Sequence, residues 1–157
     1  MNFQLPELSE SFLLRLVNVS NGRLASSGIV ANITILANDD PHGVFEFDPV
    51  LLSVEEADKN VTLTIARRKG TVGKTRVYYT SVPSSVLVEG LKYGRANETQ
   101  DYASIKGFVD FQPNQISGSI VVTIMDDVIP EDNETVVVNL TSVVLISDPI
   151  IRPGKRF

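Results

Sequence analysis

At 157 residues, with 43% hydrophobic and 21% charged residues, the chain can bury one domain or one and a half small ones and is too apolar to be disordered. Its 19 acidic against 14 basic residues give a formal net charge of -5, which argues against nucleic acid as a partner, since phosphate binding needs clustered positive charge. The absence of cysteine excludes a disulfide scaffold, a thiol nucleophile and a cysteine-based zinc site.

The opening Met1-Asn2-Phe3-Gln4 has neither the basic start nor the apolar core of a secretory signal, and the chain reads as soluble as given or as a fragment of something larger. Phe12, Leu14 and Leu16 then alternate, with Arg15 between the last two, the period-two pattern of a half-buried strand. Asn21-Gly22 and Ser27-Gly28 mark turns, and Ile33 and Ile35 alternate with Asn32 and Thr34 in the next strand. Asn38-Asp39-Asp40-Pro41 is a turn that a cation could stiffen as a joint between modules, or a plain Asp-Pro turn, and His42 after it reads as a linker residue. Val61, Leu63 and Ile65 form one face of a further strand. The basic run Arg67-Arg68-Lys69 before Gly70 predicts a solvated hairpin tip. Val77 with Tyr79, Ile120 with Val122 and Ile124, and Val136 with Val138 and Leu140 continue the alternation. Many short β-branched strands punctuated by turns predict an all-β, antiparallel sandwich. The most apolar stretch, Val136 to Ile146, is broken by Asn139, Thr141 and Ser142. It falls short of the roughly 18–20 residues a membrane span needs, so no direct membrane insertion of this segment is expected.

Asp126-Asp127 and Pro130-Glu131-Asp132-Asn133-Glu134 follow the strand Ile120 to Met125. Carboxylate oxygens suit a hard cation such as Ca²⁺, and without water or a cation so many of them repel one another. The residue types fit a Ca²⁺ site and a solvated acidic loop alike. The spacing is not that of an EF-hand, because Val128 takes the third position and no glycine the sixth. Residues 5–19 align without gaps on residues 129–143, a separation of about one sandwich domain. The expectation is therefore that residues 1–40 are the closing strands of one repeat, and residues 41–157 a second repeat lacking its last strand.

Six Asn-x-Ser/Thr triplets begin at Asn18, Asn32, Asn60, Asn97, Asn133 and Asn139. That density favours an extracellular origin, with each asparagine a glycosylation candidate.

Taken in order, Phe45-Glu46-Phe47, Leu52 to Glu56, Val61 to Arg67, Gly70 with Gly73, Val77 to Thr80, Asp101-Tyr102, Gly107 to Pro113, Ile120 to Ile124 and the acidic cluster resemble the Calx-beta repeats. The wording is most like that of repeats in very large adhesion receptors of the cell surface. The resemblance implies an immunoglobulin-like sandwich with Ca²⁺ sites in the loops of one end. Carried over by position, the ligand candidates are Glu55, Asp101, Asp126, Asp127, Glu131 and Glu134. It also implies neighbouring Calx-beta repeats as partners, with other cell-surface or matrix proteins possible, and a place in the extracellular portion of a membrane protein. Two departures stand out: Asn38 where an acid is usual, and a long connection from Val82 to Gln100.

No enzyme is expected. His42 is the one histidine, no serine lies in a Gly-x-Ser-x-Gly context, and tryptophan is absent. The function expected is a Ca²⁺-binding structural and adhesion repeat. The alternative is a Ca²⁺-independent sandwich that binds a partner by strand addition along Val136 to Ile146.

Overall fold

A computed structural model describes residues 8–37, 39–127 and 132–148. In β4 (Asn60–Arg68), Val61, Leu63 and Ile65 turn inward while Thr62 and Thr64 stay exposed, as the pleat requires. β4 is the centre of an antiparallel sheet, between β3 (Val44–Phe47) and β8 (Ser117–Thr123). The facing sheet has β5 (Lys74–Ser81) at its centre, between β10 (Val138–Ser147) and β7 (Lys106–Phe111). The fold is the all-β antiparallel sandwich that the alternation predicts.

Ile65, Val77, Phe111 and Ile120 fill the space between the sheets. The Phe45 ring meets Phe111 edge-on, with centroids 5.0 Å apart. Full burial of Phe111 contributes about 1.5–3 kcal/mol, and the edge-on pair about 0.5–1.5 kcal/mol more. A second cluster of Ala96, Tyr102 and Val122 extends this core toward one end. Gly118 permits the close approach of the sheets, since a Cβ there would lie 2.8 Å from Val109 Cγ1 and 3.1 Å from Phe111 Cζ.

β10 stays paired with β5 from Val138 to Ser147 by shifting register, with Val138 and Leu140 half-buried and Val143 and Leu145 exposed. Val138 and Leu140 stand opposite Ser81 and Tyr79; the register then slips at Thr141, and Val143 and Leu145 stand opposite Val77 and Thr75. One extra residue at a bulge changes the parity of the side chains that follow it.

The remaining long strands, β1 (Glu10–Arg15) and β2 (Val30–Ile35), pair antiparallel with each other and, among the described residues, with no other strand. Phe12, Leu14 and Leu16 are 46, 54 and 61% exposed, although their alternation predicts a covered face. A two-stranded ribbon has no second layer to lie against, so periodicity alone buries nothing.

Registers fix which loops share an end. Asn60 pairs with Thr123, Thr80 with Lys106 and Val138 with Ser81. The β3–β4, β5–β7 and β8–β10 connections therefore meet at one end, called here the acidic end. The linker into β3 and the β4–β5 and β7–β8 turns meet at the other, the joint end.

Candidate metal centre

The acidic end is assembled by backbone hydrogen bonds that bring distant carboxylates onto neighbouring loops. Ile124 N donates to Lys59 O at 2.9 Å, which ties the end of β8 to the 3₁₀ turn Glu56–Asp58 that follows Glu55. Met125 N donates to Asp101 O at 2.9 Å, Ala103 N to Thr123 O at 3.0 Å, and Tyr102 forms a β-bridge with Ile124. Glu55, Asp101, Asp126 and Asp127 thus share one end of the sandwich. Glu55, Asp126 and Asp127 are exposed and Asp101 is half-buried. Glu131 lies outside the described residues. Glu134 sits in the two-residue strand β9 (Glu134–Thr135), which pairs in parallel with β6 (Gly94–Arg95).

These side chains do not close on a single point. Among the described residues no three acidic or histidine side chains converge closely enough to hold a metal ion. The Asp101 carboxylate is taken up locally, since its Oδ2 accepts the backbone N–H of Asn97. Tyr102 next to it is fully buried; burial pushes its phenol pKa up, and its hydroxyl points at Val82 O, 3.5 Å away. Asp101 therefore pins its own turn and leaves Tyr102 in the core, besides facing the loop of Asp126. The donor set is all oxygen and fits Ca²⁺ in kind.

The long Val82–Gln100 connection is built into this end, which the sequence does not announce. Val82 N donates to Val137 O at 2.8 Å and Ala96 N to Thr135 O at 3.2 Å, and Ala96 is buried. Ser84 N donates to Glu98 Oε2 at 3.1 Å; the hydrogen bonds from Ser84 hold the Glu98 carboxyl below its usual range. The small Ala96 between two polar runs is the only trace of this packing in the sequence.

The joint end corrects one expectation. Arg67 is not part of a solvated tip: it is 3% exposed. Its Nε donates to His42 O at 3.0 Å, Nη1 to Gln112 O at 3.2 Å, and Nη2 to Val72 O at 2.9 Å and Gly73 O at 3.3 Å. The position has the inward parity of β4, so a charged residue there must be matched by carbonyl dipoles. Burial lowers the Arg67 pKa from the usual arginine value. Arg68 and Lys69 behave as predicted surface charges, Arg68 paired with Glu46 and Asp48 and Lys69 with Asp40. The hydrogen bond that Lys69 donates to the Asp40 carboxylate raises the Lys69 pKa.

The linker is held against this hairpin. Gly43 N donates to Asp40 O at 2.8 Å and Val72 N to Pro41 O at 2.9 Å. His42 Nδ1 lies 3.0 Å from Val72 O and Nε2 3.6 Å from Asp148. Of the candidate joint Asn38-Asp39-Asp40, Asn38 lies outside the described residues, and Asp40 already has the Lys69 ammonium as its counter-charge.

Known proteins place this arrangement. The model of the Calx-beta domain matches residues 37–155. The adhesion G-protein coupled receptor V1 of Danio rerio is 40% identical over 152 residues, which are 94% of this chain and 2% of that receptor. The sodium/calcium exchanger 1 of Mus musculus is 32% identical over 114 residues, 72% of this chain and 11% of the exchanger. The chain thus spans a small part of the curated relatives it matches. Among solved structures, the calcium binding domain CBD12 of CALX1.1 superposes with a TM-score of 0.56 at 24% identity, covering 95% of this chain and 54% of that one.

Proposed function

This chain belongs to the Calx-beta family, and on that premise we propose that it is an extracellular structural and adhesion repeat whose end-loop carboxylates bind Ca²⁺ and stiffen a repeat array. The observation that carries the reading is the meeting of Glu55, Asp101, Asp126 and Asp127 on loops tied to one another by the Lys59–Ile124 and Asp101–Met125 hydrogen bonds. Glu131 and Glu134 complete the proposed ligand set by their place in the sequence. An extracellular location is supported by the six glycosylation triplets and by the likeness to a cell-surface receptor. No helix among the described residues is long and apolar enough to cross a membrane.

In this reading residues 1–40 close one repeat and residues 41–157 make up most of the next. β1 and β2 hold the positions of two closing strands, which accounts for their uncovered apolar side chains. The proposed mechanism is charge neutralisation. Two carboxylates 4 Å apart repel by about 1 kcal/mol in water and by about 4 kcal/mol at the effective dielectric of a protein surface. Without a cation the loops keep their carboxylates apart. Bound Ca²⁺, which takes six to eight oxygens in flexible geometry, would supply the opposite charge that lets them converge. The role is non-catalytic, and the partners are neighbouring repeats and other surface or matrix proteins.

The test is a thermal melt with and without 10 mM Ca²⁺, with Mg²⁺ as control. Extracellular modules bind Ca²⁺ at about 10⁻⁴–10⁻³ M, so binding to the folded state alone should add about 1.4–2.7 kcal/mol. Asp126→Asn with Asp127→Asn should abolish the gain, and an equal response to Mg²⁺ would refute a Ca²⁺ site.

A second reading has its own observation. β10 pairs with β5 alone among the described residues, and Val143, Val144, Leu145 and Ile146 are 40–49% exposed along it. An open edge of this kind recruits a partner by strand addition. That reading predicts no response to Ca²⁺, and loss of association on Val144→Pro.

A further inference from the structure

The six glycosylation triplets are alike in sequence and unlike in structure. Asn32, Asn60 and Asn139 lie within β2, β4 and β10, their backbones committed to strand ladders. The Asn60 Oδ1 accepts the hydroxyl of Thr123 on the neighbouring strand instead of that of its own Thr62. Asn18 Oδ1 accepts the N–H of Val19 and, among the described residues, no hydroxyl of its own Ser20. Asn133 lies beside Tyr93, with which it lines a shallow depression.

Asn97 differs from all of these. It is exposed in a turn, and its Oδ1 accepts both the N–H and the hydroxyl of Thr99, each at 3.1 Å. The amide nitrogen Nδ2 has no hydrogen-bond partner among the described residues. An amide nitrogen is a poor nucleophile because its lone pair is delocalised into the carbonyl. Two donors on Oδ1 stabilise the charge that builds up there when Nδ2 gives up a proton. The turn that does this is short-range, so it forms locally. It is also anchored: Asn97 O accepts the N–H groups of Gln100, Asp101 and Tyr102, and Asn97 N donates to the Asp101 carboxylate.

We infer that Asn97 is an acceptor of an N-linked oligosaccharide, rooted beside Asp101 at the acidic end of the sandwich. The donor class is an oligosaccharide joined through its anomeric carbon to a lipid diphosphate. A bond forms between Nδ2 and that carbon. The bond from the carbon to the diphosphate oxygen breaks, the lipid diphosphate leaves with the electron pair, and Nδ2 loses one of its two protons. The glycan then points into solvent from a turn whose other end fixes Asp101, which places a bulky polar group at the rim of the proposed Ca²⁺ loops. The inference rests on the extracellular reading.

The experiment is to direct the chain through the secretory pathway of cultured cells behind a cleavable signal. Glycans are removed with a peptide amidase in heavy-oxygen water, and the resulting labelled aspartates are located by peptide mass spectrometry. The expected result is label at position 97, retained in Thr99→Ser and lost in Thr99→Val, with unchanged circular dichroism in both variants. Label at Asn18 with none at Asn97 would overturn the inference, as would a secreted chain with no label at all. Because entry into the pathway is imposed, failure here leaves the extracellular reading intact. That reading is tested separately, by whether protease added to intact cells digests the endogenous protein.

Discussion

Truncating Arg67 should unlock the joint end. The guanidinium is 3% exposed and makes four hydrogen bonds to backbone carbonyls, of His42, Gln112, Val72 and Gly73. Its charge also stands 5.6 Å from the centroid of the Phe45 ring. Hydrogen bonds from a charged donor contribute about 1.5–3 kcal/mol each. The four share one group, however, and Val72 O keeps the His42 ring nitrogen at 3.0 Å, so they do not add. Arg67→Ala leaves the buried carbonyls without their donor, at about 1–3 kcal/mol for each group left unsatisfied, so a loss of about 3–5 kcal/mol is expected for two or three such groups. Arg67→Lys keeps the charge but not the fork and should lose about 1.5–3 kcal/mol. Urea unfolding at constant slope measures both. Amide exchange should accelerate at Val72 and Gly43, whose N–H groups hold the linker. Arg68→Ala, at a side chain 53% exposed, is the control and should change much less. A loss below about 1 kcal/mol for Arg67→Ala would refute the reasoning, as would an equal loss in the control.

Gly70 tests the same joint from the other side. A Cβ there would lie 2.2 Å from Pro41 O and 2.5 Å from Asp40 O, so Gly70→Ala should cost about 2–3 kcal/mol by overpacking. Gly94→Ala, which meets nothing within 4 Å, should be close to neutral in the same melt, and equal losses would argue against the clamp. On the outer face of the β10–β5–β7 sheet, hydrogen bonds from Arg76 and then Lys74 hold the Asp110 carboxyl well below its usual range. A carboxyl with a depressed folded pKa contributes stability that is present above its unfolded value of about 3.9. That stability is lost as pH falls through the lower folded value. The urea midpoint should therefore fall between about pH 4 and pH 2 more steeply for the parent than for Asp110→Asn, and parallel curves would exclude the linkage.

Much of the sandwich was legible because period-two alternation reports directly which side chains a pleated strand can bury. Val61, Leu63 and Ile65, and likewise Ile120 and Val122, took the inward positions their spacing assigned. The same pattern misled in β1 and β2, where alternation supplied an apolar face and no second sheet among the described residues covered it. Arg67 was misread for a related reason. A charge run reads as solvated, whereas parity along β4 turned its first member inward, and carbonyls contributed by His42, Val72, Gly73 and Gln112 made that burial tolerable.

Composition and local pattern determined the all-β class, the turn positions, the acidic loop and the family resemblance, because each rests on residue type or on neighbours a few positions apart. Tertiary structure alone decided which of those features meet. Antiparallel registers put Glu55, Asp101, Asp126 and Asp127 at one end, and Asp40, Arg67 and Lys69 at the other. They also tied the Val82–Gln100 connection to β9, and occupied Asp101 with the turn at Asn97. Such meetings depend on hydrogen bonds between residues distant in the chain, whose partners cannot be read from either segment alone.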